Sequence, residues 1–119
     1  MYNYIAHENL GYFAKDTRVS VTKRLDRQPH AQAGINIHND GRKDLISYST
    51  LVCTVDKDGW LTCRGLYSKT TRCHISSFIR EVAPNFSYYD AKRCYENDEA
   101  INIYTGEIIS LADYAKMQG

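Results

Sequence analysis

Several of the features that announce a membrane, secreted or cofactor-dependent protein are missing from this sequence. No apolar run approaches the ~20 residues that a bilayer-spanning helix needs. The opening Met1-Tyr2-Asn3-Tyr4 has neither the basic segment nor the apolar segment of a secretory signal peptide. Proline occurs twice in 119 residues, and no proline-, glycine- or serine-rich linker, repeat or low-complexity tract divides the chain. The four cysteines form no C-x-x-C pair, the spacing that zinc knuckles, zinc ribbons and dithiol redox motifs require. Neither the phosphate-loop nor the dinucleotide-binding glycine pattern occurs. An excess of one charge is also missing. Fifteen Lys and Arg against fourteen Asp and Glu leave a net charge of +1, with no overall attraction to nucleic acid or to an anionic membrane.

What remains is a tyrosine-heavy chain, ten of 119 residues, with 43% hydrophobic content. That length suits one domain, and the apolar fraction suffices for a modest core. Residues 1–119 read as a single domain, with a less regular part over 1–40 and a sheet–helix unit over 42–109. The lead-in at 4–13 has no clean period, since Ile5, Leu10 and Phe13 fit neither template. From 18 to 25 the chain alternates, with Val19, Val21 and Leu25 on one side and Arg18, Ser20, Thr22 and Arg24 on the other, as in a half-buried strand. Residues 26–34 read as a loop. Ile35-Asn36-Ile37 reads as a short strand closed by the turn Asn39-Asp40-Gly41.

The best-determined piece is the hairpin over 45–67. A three-residue turn, Lys57-Asp58-Gly59, places glycine where a left-handed backbone is needed. Residue 55 then faces 61, and 53 faces 63. One face becomes Leu51, Cys53, Val55, Leu61 and Cys63, and the other Val52, Thr54, Thr62 and Arg64. A two-residue turn would mix apolar and polar positions on both faces, because a one-residue slip inverts every side chain.

Ser68-Lys69-Thr70-Thr71 is rich in helix-capping residues. The stripe Ile75, Phe78, Ile79, Val82 that follows has the spacing of one helix face, and Pro84 ends the helix near Val82. A second short helix is expected over 88–95, a strand over 100–104, a turn at Thr105-Gly106-Glu107 and a short capped helix from Ser110. The order β-β-β-α-(α)-β gives an α+β fold: a small antiparallel β-sheet with one main α-helix packed on one face.

Chemistry-bearing residues are few. The hairpin register sets Cys53 opposite Cys63, and Cys73-His74 arrive at the helix start. A zinc site from these four is geometrically open, and a Cys53–Cys63 disulfide would need an oxidising compartment. The simplest role for these cysteines is that of small buried hydrophobes. Cys73 and His74 are neighbours on a helix and point apart. His7, His30 and His38 have no fixed partner, and Glu96, Asp98 and Glu99 fall in one acidic loop. No catalytic residue, metal or cofactor is assigned. Two surfaces do stand out. Arg64, Arg72 and Arg80 interleave with Trp60 and Tyr67, the cation–aromatic mixture that holds single strands by stacking and phosphate contact. Tyrosines such as Tyr2, Tyr4, Tyr12, Tyr88, Tyr89 and Tyr95 exceed what a small core can use. Tyrosine at a surface favours protein contacts.

The stretch Leu45-Ile46-Ser47-Tyr48-Ser49-Thr50-Leu51-Val52, together with Tyr67-Ser68-Lys69-Thr70-Thr71-Arg72-Cys73-His74-Ile75-Ser76-Ser77-Phe78-Ile79-Arg80-Glu81, resembles small proteins of phages and mobile elements in Gram-positive and gut bacteria. The closing Ile101-Asn102-Ile103-Tyr104-Thr105-Gly106-Glu107 is similar too, so the resemblance spans residues 42–109. It implies that Tyr67, Ser68, Thr70, Thr71, His74 and Phe78 belong to one structural unit. It carries over no catalytic residue, and Cys73 departs from its pattern. Small phage proteins without catalytic machinery include inhibitors of host defence, anti-CRISPR proteins among them. The resemblance therefore implies a non-enzymatic accessory protein in the host cytoplasm. Its expected partner is a host bacterial protein such as a CRISPR effector or other defence nuclease. The expected contact surface is Tyr88, Tyr89, Tyr95, Glu96, Asp98 and Glu99, the carboxylates standing in for phosphates. The alternative is a single-stranded nucleic-acid-binding module that uses Trp60, Arg64, Tyr67, Arg72 and Arg80.

Overall fold

The structure, a computed structural model, describes residues 19–118. The expected lead-in at 4–13, Tyr2, Tyr4, Tyr12, His7 and Arg18 lie outside the described residues. Seven strands follow one another across a single antiparallel sheet in chain order: β1 (Val19–Arg24), β2 (Ala33–His38), β3 (Lys43–Ser47), β4 (Thr50–Val55), β5 (Trp60–Cys63), β6 (Glu99–Asn102) and β7 (Ile108–Ser110). Helices α1 (Lys69–Val82) and α2 (Tyr88–Asn97) are inserted between β5 and β6, and α3 (Leu111–Gln118) follows β7. The fold is α+β. Both α1 and α2 pack on one face of the sheet, where Leu25, Ile35, Leu45, Val52, Leu61, Ile75, Phe78, Ile79, Ala91 and Cys94 form the core.

The turn chemistry sets the β4–β5 register as expected. Cys53 faces Cys63, Thr54 faces Thr62 and Val55 faces Leu61. Gly59 takes φ +92°, and Asp56 Oδ1 accepts the backbone N–H groups of Asp58 and Trp60 at 2.9 Å. One part of the hairpin differs. Residues 45–55 are not one arm but two strands, reversed at Tyr48-Ser49, with Tyr48 at φ +59°. A tyrosine in that left-handed region gives no local turn signal, unlike the glycine or asparagine usual there. Pairing then slips between Leu45–Cys53 and Ile46–Leu51. The extra residue, Val52, is buried in the core while Leu51 is half-buried. A bulge thus reverses the faces that strict alternation predicts for these two.

Helix α1 starts at its expected cap, where Ser68 Oγ accepts the Thr71 N–H at 3.2 Å, and it ends at Val82 before Pro84. Ile75, Phe78 and Ile79 are fully buried. Helix α2 opens with a capping box in which Ser87 Oγ accepts the Tyr89 N–H and the Asp90 carboxylate accepts the Ser87 N–H. It runs to Asn97 and closes on Asp98 at φ +53°. The expected acidic loop is therefore a helix end: Glu96 lies on α2, Asp98 is its cap and Glu99 begins β6. The sequence gives no glycine there to mark the left-handed cap.

The helix side of the sheet also buries a lysine. Lys23 lies on that side with Leu25 and is 1% exposed, its ammonium paired with Glu81 of α1 and with Asp26 at 3.1 Å. The opposite face carries a polar row across five strands, Thr22, Asn36, Asp44, Thr54 and Thr62, each the register partner of the next. Asp44 gathers three donors in it: Thr54 Oγ1 at 2.8 Å, Arg42 Nε at 2.9 Å and His38 Nε2 at 2.8 Å. Helix α3 closes on this outer face, its Tyr114 hydroxyl donating to Asp56 Oδ2 at 2.6 Å. Among the described residues no helix is long and apolar enough to cross a membrane.

Candidate nucleic-acid interface

Because Ile75, Phe78 and Ile79 turn α1 onto the sheet, the residues left facing solvent follow from the helical period. They are Lys69, Arg72, Cys73, Ser76 and Arg80, all exposed or half-buried. This arc carries three cations and no carboxylate, since Glu81 turns aside to meet Lys23. Lys69, Arg72 and Arg80 make no ion pair with any described residue. The first turn of α1 contains no acidic residue, so the positive end of the helix dipole adds to Lys69 and Arg72 rather than being neutralised.

Aromatic rings stand at both ends of the helix. At its start, Tyr67 precedes the cap at φ +50° and is 58% exposed, its ring lying against Gly65. Tyr48 is 52% exposed, with its ring centroid 6.0 Å from that of His74. Both tyrosines hold a left-handed backbone, a conformation that persists for a non-glycine residue only where the surroundings impose it. At the other end a groove of about 490 Å³ opens, lined by Ser76 and Arg80 of α1, Arg27, Phe86, Tyr88 and Tyr89. Tyr89 is 74% exposed there, and Tyr88 meets it edge-on with ring centroids 5.5 Å apart.

The two sequence-derived sets fare differently. Of the nucleic-acid set, Tyr67, Arg72 and Arg80 come together along α1. Trp60 and Arg64 do not join them. Trp60 is 5% exposed, its ring centroid 6.3 Å from that of Tyr114, so it offers no open stacking face. Arg64 lines a separate cavity with Thr62 and Tyr114 on the outer side of the sheet. Both therefore stand apart from the α1 face. Of the partner-binding set, Tyr89 and Tyr95 are exposed while Tyr88 is half-buried against the core. Glu96 stands 3.6 Å from Lys92 and Glu99 stands 2.9 Å from Arg93. Those neighbouring cations offset the negative field that phosphate mimicry would use. In the sequence Arg27 stands in a basic cluster with Lys23 and Arg24, and the helical period places Ser76 on the polar face of α1 with Arg72 and Arg80. Their meeting with Tyr89 around one groove, and the exposure of Tyr48 beside His74, have no local sequence signal.

Ser47 Oγ lies 2.8 Å from His74 Nδ1, but both residues are buried. Burial holds the His74 pKa below its ordinary value. Cys53, Cys63 and Cys94 are buried free thiols, and Cys73 is exposed. Burial pushes the Cys94 thiol up to about 12, and the Cys53 thiol is raised because it donates its hydrogen bond to Cys63 and is itself buried. Among the described residues no group of three or more His, Cys, Asp or Glu side chains is placed to hold a metal ion.

Fold and surface together define a small meander-sheet domain that carries one uncompensated basic helix face. The chain belongs to a family of unknown function (DUF8033), whose model matches residues 19–99. That span includes the whole of α1 and the groove beside it. No curated protein and no solved structure matches the chain.

Proposed function

We propose that this protein is a non-catalytic module that binds single-stranded nucleic acid along the outward face of α1. The observation that carries the reading is the arc of Lys69, Arg72 and Arg80 without a carboxylate, flanked by exposed tyrosines at each end. Phosphates lie against the cations and bases stack on the rings, a mode that tolerates sequence because every base has a π-face. The near-zero net charge is compatible with it, since the acidic residues lie elsewhere or are paired. Glu81 meets Lys23, Glu96 meets Lys92 and Glu99 meets Arg93.

The test is fluorescence anisotropy of a labelled oligothymidylate with the full chain at 50 and 200 mM salt. The reading requires measurable binding that weakens with salt, because phosphate contacts release counterions. Undetectable or salt-independent binding overturns it. A host protein captured at physiological salt through Tyr89 and Tyr95, with no oligonucleotide bound, would instead move the function to the expected accessory protein acting on a defence nuclease.

A further inference from the structure

We infer that the groove between α1 and the start of α2 holds one nucleotide unit, its phosphate between Arg27 and Arg80 and its base on Tyr89. The inference rests on the strand-binding reading and adds a defined subsite to it. A groove of about 490 Å³ falls within the roughly 300–1,000 Å³ range of small-ligand sites. Its two guanidiniums, Arg27 and Arg80, make no ion pair with any described residue. The start of α2 does not compete for the phosphate, because Asp90 and Ser87 already satisfy one another in the capping box. The anion therefore falls to the arginine pair, whose planar forks match phosphate oxygens. The Ser76 hydroxyl lines the same groove and makes no side-chain hydrogen bond to any described residue, so it stands ready to donate to the ligand.

The base has one open platform. Phe86 and Tyr88 are partly buried against the core, whereas Tyr89 is 74% exposed. Tyr88 supports the Tyr89 ring from its edge, a geometry that leaves a face for stacking. Phosphate clamp and ring line one groove, so a nucleotide satisfies both where inorganic phosphate satisfies only the first.

Heteronuclear NMR of the full chain, titrated separately with thymidine 5′-monophosphate and inorganic phosphate, tests this directly. The nucleotide should move the Arg27 and Arg80 side-chain Nε signals together with the Tyr89 amide, and phosphate should move the arginines alone. Tyr89→Ala should weaken oligothymidylate binding by about 5- to 150-fold, the range of one base–aromatic stack, and Tyr89→Phe should restore it. Absence of any nucleotide-induced shift at these residues overturns the subsite, as does an equal response of Tyr89 to phosphate. If oligothymidylate binds and Tyr89→Ala leaves its affinity unchanged, the subsite fails while the α1 reading stands. If the mononucleotide shifts the groove but no strand binds, the α1 reading fails and the subsite stands.

Discussion

Ser47 Oγ and His74 Nδ1 are 2.8 Å apart, joining the end of β3 to the first half of α1. Thr71 Oγ1 lies 3.1 Å from the same serine oxygen, and Thr71 is also the residue whose N–H the Ser68 cap receives. One serine hydroxyl thus fastens the basic helix to the sheet. Ser68, Thr71 and His74 of α1 and its cap thus meet Ser47 of β3 in one connection.

Ser47→Ala leaves His74 Nδ1 and Thr71 Oγ1 without this partner inside the protein. Loss of a buried partner costs about 1–3 kcal/mol, so Tm should fall by about 3–15 °C. Thermal unfolding followed by circular dichroism measures it, and an unchanged Tm would show that the connection carries no net stability.

The same pair predicts a pH dependence. Burial lowers the His74 pKa below its ordinary 6.5, so the unfolded chain takes up a proton before the folded one does. Unfolding is then favoured as pH drops below about 6.5, and stability rises with pH through that window. Ser47, to which the ring is hydrogen-bonded, does not titrate. Urea unfolding at pH 7.5 and 5.5 should show the loss, and His74→Gln should flatten the difference between the two pH values. An identical difference in the variant would assign the effect to another group.

Strain at Tyr67 separates stability from binding. A left-handed backbone costs a non-glycine residue roughly 1–2 kcal/mol, and Tyr67 holds φ +50° with an exposed ring. Tyr67→Gly should therefore leave Tm level or raise it while weakening oligonucleotide binding. A fall in Tm of more than about 5 °C would show that the ring serves the fold instead.

The cationic arc makes a quantitative forecast. For single strands the salt slope is roughly 0.7 per phosphate neutralised. Arg72→Ala and Arg80→Ala should each lower it by about that amount, and Arg64→Ala on the outer face of the sheet should leave it unchanged. An equal loss with Arg64→Ala would place the strand across the sheet.

Thiol chemistry reports the core. Cys73 is exposed while Cys53, Cys63 and Cys94 are buried. An aromatic disulfide reagent should titrate one thiol rapidly in the native protein and the other three only after denaturant is added. Rapid modification of a second thiol under native conditions would mean that β4 and β5 open to solvent.

Much was legible in the residues because it is local. The Lys57-Asp58-Gly59 turn and the period-two pattern of Cys53, Val55, Leu61 and Cys63 were enough to fix one register, since any slip exposes apolar side chains. Ser68, the Ile75–Phe78–Ile79 stripe and Pro84 bounded α1, since caps and the 3.6-residue period act within a few residues. That period also determined that Arg72 and Arg80 share a solvent face.

What tertiary structure alone decided has no local period. The reversal at Tyr48 and the bulge at Val52 depend on what the neighbouring strands and helix impose on a backbone that tyrosine would not choose by itself. Lys23 is buried because Glu81, 58 residues away, arrives beside it. Trp60 and Arg64 parted from Arg72 and Arg80 because a sheet has two sides, and α1 covers one while α3 closes on the other. Arg27 joined Arg80 and Tyr89 around one groove for the same reason: the β1–β2 connection, α1 and α2 meet only once the sheet is formed. Sequence determined which residues could share a strand or helix face, and folding decided which of those faces meet.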